Sequence, residues 1–255
     1  MKKFYKILFL LLASCSTQDA TRSDALNLGV LTSKDYSDHL ASLGPTYLAN
    51  DSNQEIKLKK ESSTYLNEIY ERIVTNNESL LKHEGGPHFH IIDNKTPFIF
   101  SLPKSQFFIS SGLMEKYLKS EELFVAAISA EVLKSERNIY EKNTIIPLGF
   151  ISNEQLIRLS RLHPENKYRV NEWSYFVLKR AGFDATAYLN WIQVQNRNPL
   201  DFSLYLGDAV GASREELLFK NFMSKQGISA IEKKLNEANS SKSFYKLLSN
   251  IASKK

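Results

Sequence analysis

The run from Ser120 to Glu141 constrains the fold more than any other stretch of this chain. Ser120 is a residue type that caps helix N-termini, and Glu121 and Glu122 follow in the first turn, where carboxylates complement the helix dipole. The spacing predicts a helix over 121–141 that turns Phe124, Ala127, Ile128 and Val132 toward a core. Just before it, residues 88–92, 98–102 and 106–110 read as three short strands. They are separated by the turn residues Asp93-Asn94-Lys95 and Pro103-Lys104-Ser105. A long helix fed by three short strands predicts an α+β domain in which the sheet packs on that helix.

The remainder is mostly helical in pattern. Leu66, Ile69, Tyr70, Ile73 and Val74 recur at helical spacing within 62–81, and the segment Lys82-His83-Glu84-Gly85-Gly86-Pro87 breaks that helix. Residues 28–60 are mixed, with Gly44-Pro45 read as a turn. Further helices are predicted at 112–118, 152–162, 168–181, 185–196, 213–225, 228–238 and 241–252. Gly182 is a natural stop and Asp184 a natural cap for the next helix. Trp173, Tyr175, Phe176, Tyr188 and Trp191 fall at helical spacing and read as core rather than as a ligand cage. The tail 242–255 is a basic amphipathic helix, either solvated or facing an anionic surface. No solenoid repeat is visible.

The N-terminus carries a second signal. Met1-Lys2-Lys3-Phe4-Tyr5-Lys6 is basic, and Ile7 to Leu12 is far shorter than the roughly 20 residues a membrane span needs. Leu12-Ala13-Ser14-Cys15 resembles the bacterial lipobox, which implies acylation of Cys15 and a mature chain beginning there. An ordinary signal peptide or a buried thiol is the alternative. Cys15 is the only cysteine, so no disulfide framework exists. Ser16 in place of Asp implies, by the same resemblance, sorting to the outer membrane, and so a body tethered through lipid on its periplasmic face. The expected organisation is a signal peptide at 1–14, a flexible tether at 15–27, a domain at 28–200 and a helical extension at 201–255. The formal charge of +5 falls to +2 once the three signal lysines are removed, too little for a nucleic-acid-binding field.

The stretch from Pro87 to Tyr140 resembles the gluzincin metallopeptidases of the CAAX-prenyl-protease and HtpX type. The resemblance runs through His90-Ile91-Ile92-Asp93, then Pro97 to Ser105, then Phe108-Ile109-Ser110-Ser111-Gly112-Leu113-Met114, and closes on Ser120 to Glu131. Downstream, Leu178-Lys179-Arg180-Ala181-Gly182-Phe183-Asp184 is similar to the end of the helix that supplies the family's third zinc ligand. The resemblance implies a zincin-like domain with a small three-stranded sheet packed on the active-site helix. In that family the strand at the sheet edge before the helix pairs with extended substrate.

The resemblance also implies His-Glu-x-x-His at 130–134, where two histidines four apart bind zinc and the glutamate acts as general base. This chain reads Ala130-Glu131-Val132-Leu133-Lys134, and the ungapped third position is Lys167, with Asn171 at the family's Asp. Glu172 would serve only with a deletion inside the helix. Alanine offers no donor and a protonated lysine no lone pair, so no metal is expected although the family uses zinc. Glu131 is then a vestigial base. It is either an exposed helix-face carboxylate paired with Lys134, or part of a cleft in which the lysines hold an anionic partner. Two functions stay open: a catalytically inactive pseudopeptidase binding a protein or peptide in the old substrate cleft, or an active metalloendopeptidase using a set such as Glu131, Glu172 and His88 or His90. His83-Glu84-Gly85-Gly86-Pro87-His88 has the wrong spacing and a broken helix, and His88 and His90 share a strand face.

Overall fold

The computed structural model describes residues 32–81, 85–141, 144–147, 149, 151–206, 209–228 and 239–253. Cys15, the signal and tether segments, His83 and Glu84, and all but the first residue of the helix predicted at 228–238 lie outside them. The chain divides into two compact units, Met1–Tyr36 and Ser37–Lys255. Of the first, residues 32–36 open a helix, with Thr32 and Asp35 exchanging side-chain and backbone hydrogen bonds as a cap. The second unit holds the remaining described elements.

In chain order these are α1 (Ser33–Leu48), α2 (Lys60–Thr75), β1 (His88–Ile92), β2 (Ile99–Leu102), β3 (Gln106–Ser110), α3 (Ser111–Lys116) and α4 (Glu121–Glu136). They continue with α5 (Asn153–Ser160), α6 (Pro164–Arg180), α7 (Ala187–Arg197), α8 (Ser203–Leu206), α9 (Ala209–Lys225) and α10 (Lys242–Ala252). The fold is α+β and mostly helical. The strands fall where the turn residues predict them, in the order β1-β3-β2, with β1 parallel and β2 antiparallel to β3. No described helix is long and apolar enough to cross a membrane.

The sheet is covered on both faces, and strand alternation decides which residue meets which layer. Phe100 and Phe108 stack at 4.8 Å and meet the edge of Tyr47 from α1. Ile91, Ile99, Phe107 and Ile109 point the other way, into the core shared with α2 and α4. Gly112 opens α3 where the chain after β1 crosses it: a Cβ there would sit 2.2 Å from the carbonyl oxygen of Lys95.

Helix α4 is the centre of this core. Phe124, Ala127, Ile128 and Val132 are buried as predicted, but so is every residue from Leu123 to Glu136. A helix apolar all round its first half is a core helix, not a surface one. It packs on β2, α6, α7 and α2. It stops at Glu136 rather than 141, because Asn138 takes a left-handed backbone and the Ile139 amide closes back on the Lys134 carbonyl.

The helix α6 starts at Pro164, earlier than predicted, because proline fits the first helical turn. It ends as predicted at Gly182, whose φ of 71° suits glycine. Arg72 of α2 secures that end, donating to the carbonyls of Ala181 (2.7 Å) and Gly182 (2.9 Å) over the ring of Phe183. The tail helix α10 is amphipathic as read, with Lys242 and Lys246 exposed, but it is not free: Phe244, Leu247 and Ile251 are buried. Its N-terminus meets Glu121, whose carboxylate accepts from the Ser241 amide (2.6 Å) and the Tyr65 hydroxyl (2.7 Å).

Gly44-Pro45 is not a turn; both lie inside α1. A proline within a helix leaves the carbonyl four residues back without its donor, here that of Ala41. The Gln106 side-chain amide replaces it at 3.0 Å, and Gly44 makes room, since a Cβ there would lie 2.0 Å from Gln106 Oε1. Gln106→Ala should therefore cost about 1–3 kcal/mol. In a Pro45→Ala background the cost should shrink, because the restored amide serves Ala41. Urea unfolding of the four proteins checks this, and an equal cost in both backgrounds would refute the pairing.

Candidate functional site

The third turn of α4 brings Ala130, Glu131 and Lys134 to the buried side where the helix meets β2 and α6. Glu131 and Lys134 form an ion pair, as one of the sequence readings expects, but the pair is interior rather than exposed. Each side chain is 9% exposed. Lys134 Nζ lies 2.8 and 3.1 Å from the two carboxylate oxygens of Glu131, and Ser101 of β2 donates to Oε2 at 2.8 Å. Tyr140 stands behind Ser101, its hydroxyl 3.5 Å from Oγ.

Lys167 has a partner of its own. Its Nζ lies 2.6 Å from Glu215 Oε2 on α9, and Asn171 donates to Glu215 Oε1 at 2.6 Å. Both positions aligned with the family's third-ligand segment thus share one carboxylate. Tyr188, which is buried, donates to Asn171 Oδ1 at 2.8 Å. Burial first, and then the nearby charges of Glu215 and Glu131, push its phenol well above the usual range. The phenols of Tyr140 and Tyr205 are raised the same way, by burial and then, after the Ser101 hydroxyl's opposing bond in Tyr140's case, by Glu131. All three stay protonated and donate hydrogen bonds; none is poised as a base near neutrality.

A repurposed cleft in which free lysines hold an anion is therefore not what this arrangement offers. Lys134 is committed to Glu131 and Lys167 to Glu215. The zinc test fails on donor chemistry too: Ala130 supplies nothing, two ammonium groups are saturated by carboxylates, and both oxygens of Glu131 are engaged. The alternative ligand set is dispersed. Glu172 accepts from Tyr168, holding that phenol up to about 12. His90 Nδ1 pairs with Glu55 at 2.8 Å and stacks on Phe108, while His88 is exposed. Among the described residues no three His, Cys, Asp or Glu side chains are grouped to hold a metal.

The edge of β2 is also taken at Ile99. Ile99, Phe100, Ser101 and Leu102 are all buried. The Tyr205 hydroxyl of α8 accepts from the Ile99 amide and donates to its carbonyl at 2.6 Å. Strand addition by an extended peptide needs those same groups. The other edge is partly covered, since the Ile56 amide bonds the Ile91 carbonyl (2.7 Å) and the Asp93 amide the Gln54 carbonyl (2.8 Å).

A second buried carboxylate closes the end of α4. Glu136 accepts from Tyr70 (2.8 Å) and Ser105 (2.6 Å), and Ser135 Oγ receives the Ser105 amide (3.0 Å). These bonds hold the β2–β3 turn, where Lys104 and Ser105 both have positive φ. Sequence reading missed Ser101, Tyr205, Glu136 and Glu215. Glu215 had a signal: it stands four and seven residues before Phe219 and Phe222, in phase with the buried face of α9.

Because both members are buried, Glu131→Gln or Lys134→Met alone should destabilise the fold by about 3–5 kcal/mol, whereas the double variant should recover most of that loss. Chemical unfolding of the three variants measures the coupling. Additive losses would mean that the two groups do not depend on each other.

A scan against protein-family models and a search of curated proteins find no match for this chain.

Proposed function

We propose that this chain is a lipid-anchored protein of the bacterial cell envelope, held through Cys15 at the periplasmic face of the outer membrane. Its body has a metallopeptidase-like, zincin-type fold without the catalytic chemistry, and its work is to bind a protein or peptide partner. The observation that carries this reading is the buried Glu131–Lys134 pair. In the resembled family a metal ion sits against this helix; here the lysine ammonium brings the compensating positive charge to the glutamate from within the chain. The order of elements supports it as well: a small sheet whose β2 lies against a buried helix, followed by a second helix that packs on the first. A peptidase with a non-standard ligand set has no comparable support, since its candidate ligands are scattered over β1, α4 and α6.

Purified protein should contain no stoichiometric zinc and show no proteolysis that a chelator abolishes. Restoring ligands should reverse the first property: Ala130→His, Lys134→His and Lys167→Glu together should create zinc-dependent thermal stabilisation. Glu215→Gln belongs in the same protein, because a carboxylate introduced at position 167 would otherwise face the one that Lys167 now neutralises at 2.6 Å. Stoichiometric zinc in the native chain, or chelator-sensitive cleavage lost in Glu131→Gln, would overturn the non-catalytic reading.

The anchor is tested separately. Palmitate should label the wild type and not Cys15→Ser, which should accumulate as precursor. Equal labelling of the two would remove the lipid tether from the proposal.

A further inference from the structure

The core reading of the aromatic set fails at one residue. Tyr175, Tyr188 and Trp191 are buried, but Trp173 is 44% exposed. It stands on the face of α6 that also carries Asn166, Arg169 and Val170, spaced by three and four residues, where α6 meets the end of α4. These side chains, with Leu80, Leu133, Arg137 and Ile139, line a pocket of about 270 Å³. Leu133 and Val170 are buried at its floor, and both arginines are exposed at its rim.

The charges around it are asymmetric. Arg137 spends one donor on the Leu80 carbonyl at 3.2 Å and keeps the rest of its fork. Arg169 holds no hydrogen bond or ion pair among the described residues. Glu141, the acid bonded to a lining residue, is already used: it accepts from Asn166 (2.6 Å) and from the His163 amide (2.6 Å). Glu172 is engaged by Tyr168.

We infer that this pocket is where the partner docks, and that the partner is a protein segment presenting one bulky apolar side chain beside a carboxylate. This rests on the partner-binding reading above and gives it a place. A half-open pocket of that size, with an apolar floor, has room for one bulky side chain. Residue type argues for a protein: tryptophan and arginine are the groups that dominate protein interfaces when set around an apolar anchor pocket. Charge argues for the acid, because a guanidinium fork binds a carboxylate through two parallel hydrogen bonds. The closed edge at Ile99 gives a reason for a helix-side surface to take this role instead of a strand.

The chain carries its own reporter, since Trp173 is exposed and the second tryptophan, Trp191, is buried. The probe is acetyl-Gly-Phe-Asp-Gly-amide, titrated into the purified full chain and compared with its Asn and Lys counterparts. The Asp peptide should shift the tryptophan emission saturably and bind about fivefold tighter than the Asn peptide, the size of one exposed ion pair. Arg169→Gln should abolish that preference with little change in melting temperature, because Arg169 has no hydrogen bond or ion pair among the described residues to lose. Equal binding of the three peptides overturns the inference, as does a preference that survives Arg169→Gln, or laurate displacing the Asp peptide at lower concentration. Zinc content does not enter this readout, so the docking surface and the non-catalytic reading fail independently.

Discussion

The burial of α4 is the constraint on which the rest of the structure depends. Its N-terminal half, Leu123 to Ile128, has no polar side chain to expose, so layers must close around it on every side. Its C-terminal half then enters the core with Glu131, Lys134, Ser135 and Glu136, and each of these needs a partner there. Those partners come from distant parts of the chain: Ser101 from β2, Ser105 from the hairpin turn and Tyr70 from α2. The polar half of one helix thus fixes the register of the sheet against it. A shift of a single strand residue would strand a buried carboxylate.

The hairpin turn shows how the requirement spreads. Lys104 and Ser105 occupy left-handed backbone that ordinarily favours glycine, at a cost of order 1 kcal/mol or more each. Bonds from Ser105 to Ser135 and Glu136 offset it. The next residue, Gln106, reaches back to the Ala41 carbonyl that Pro45 leaves open. One short turn therefore ties α4 on one face of the sheet to α1 on the other.

The same polar saturation limits the chemistry. Each candidate group of the α4 site is consumed by an internal bond, and the surrounding phenols are held protonated by burial and by Glu131. A site built for catalysis keeps an open coordination position or an unshared base. On the outer face of α6, among the described residues, Arg169 and Trp173 face solvent. Surface that is apolar and cationic at once serves recognition better than proton transfer.

The three strands, the core position of Ile128, the stop at Gly182 and the α+β class were legible from local pattern, because turn chemistry and apolar spacing act over a few residues. The pairing of Glu131 with Lys134 was legible too, from their separation by three. Its burial was not, since burial depends on what packs over the helix from α6, α7 and β2. Lys167 carried no sign of Glu215, nor Ile99 of Tyr205, because those partners lie tens of residues or more away and meet only when the layers close. Gly44-Pro45 was misread for the same reason: the donor that makes a helical proline tolerable is a side chain 61 residues later. The sequence by itself determined the three strands, the core helix that follows them, and that positions 130, 134 and 167 lack metal donors. Only the tertiary structure decided that Glu131 and Lys134 neutralise each other inside the core and that Lys167 meets Glu215, because a charge partner is chosen by proximity in space.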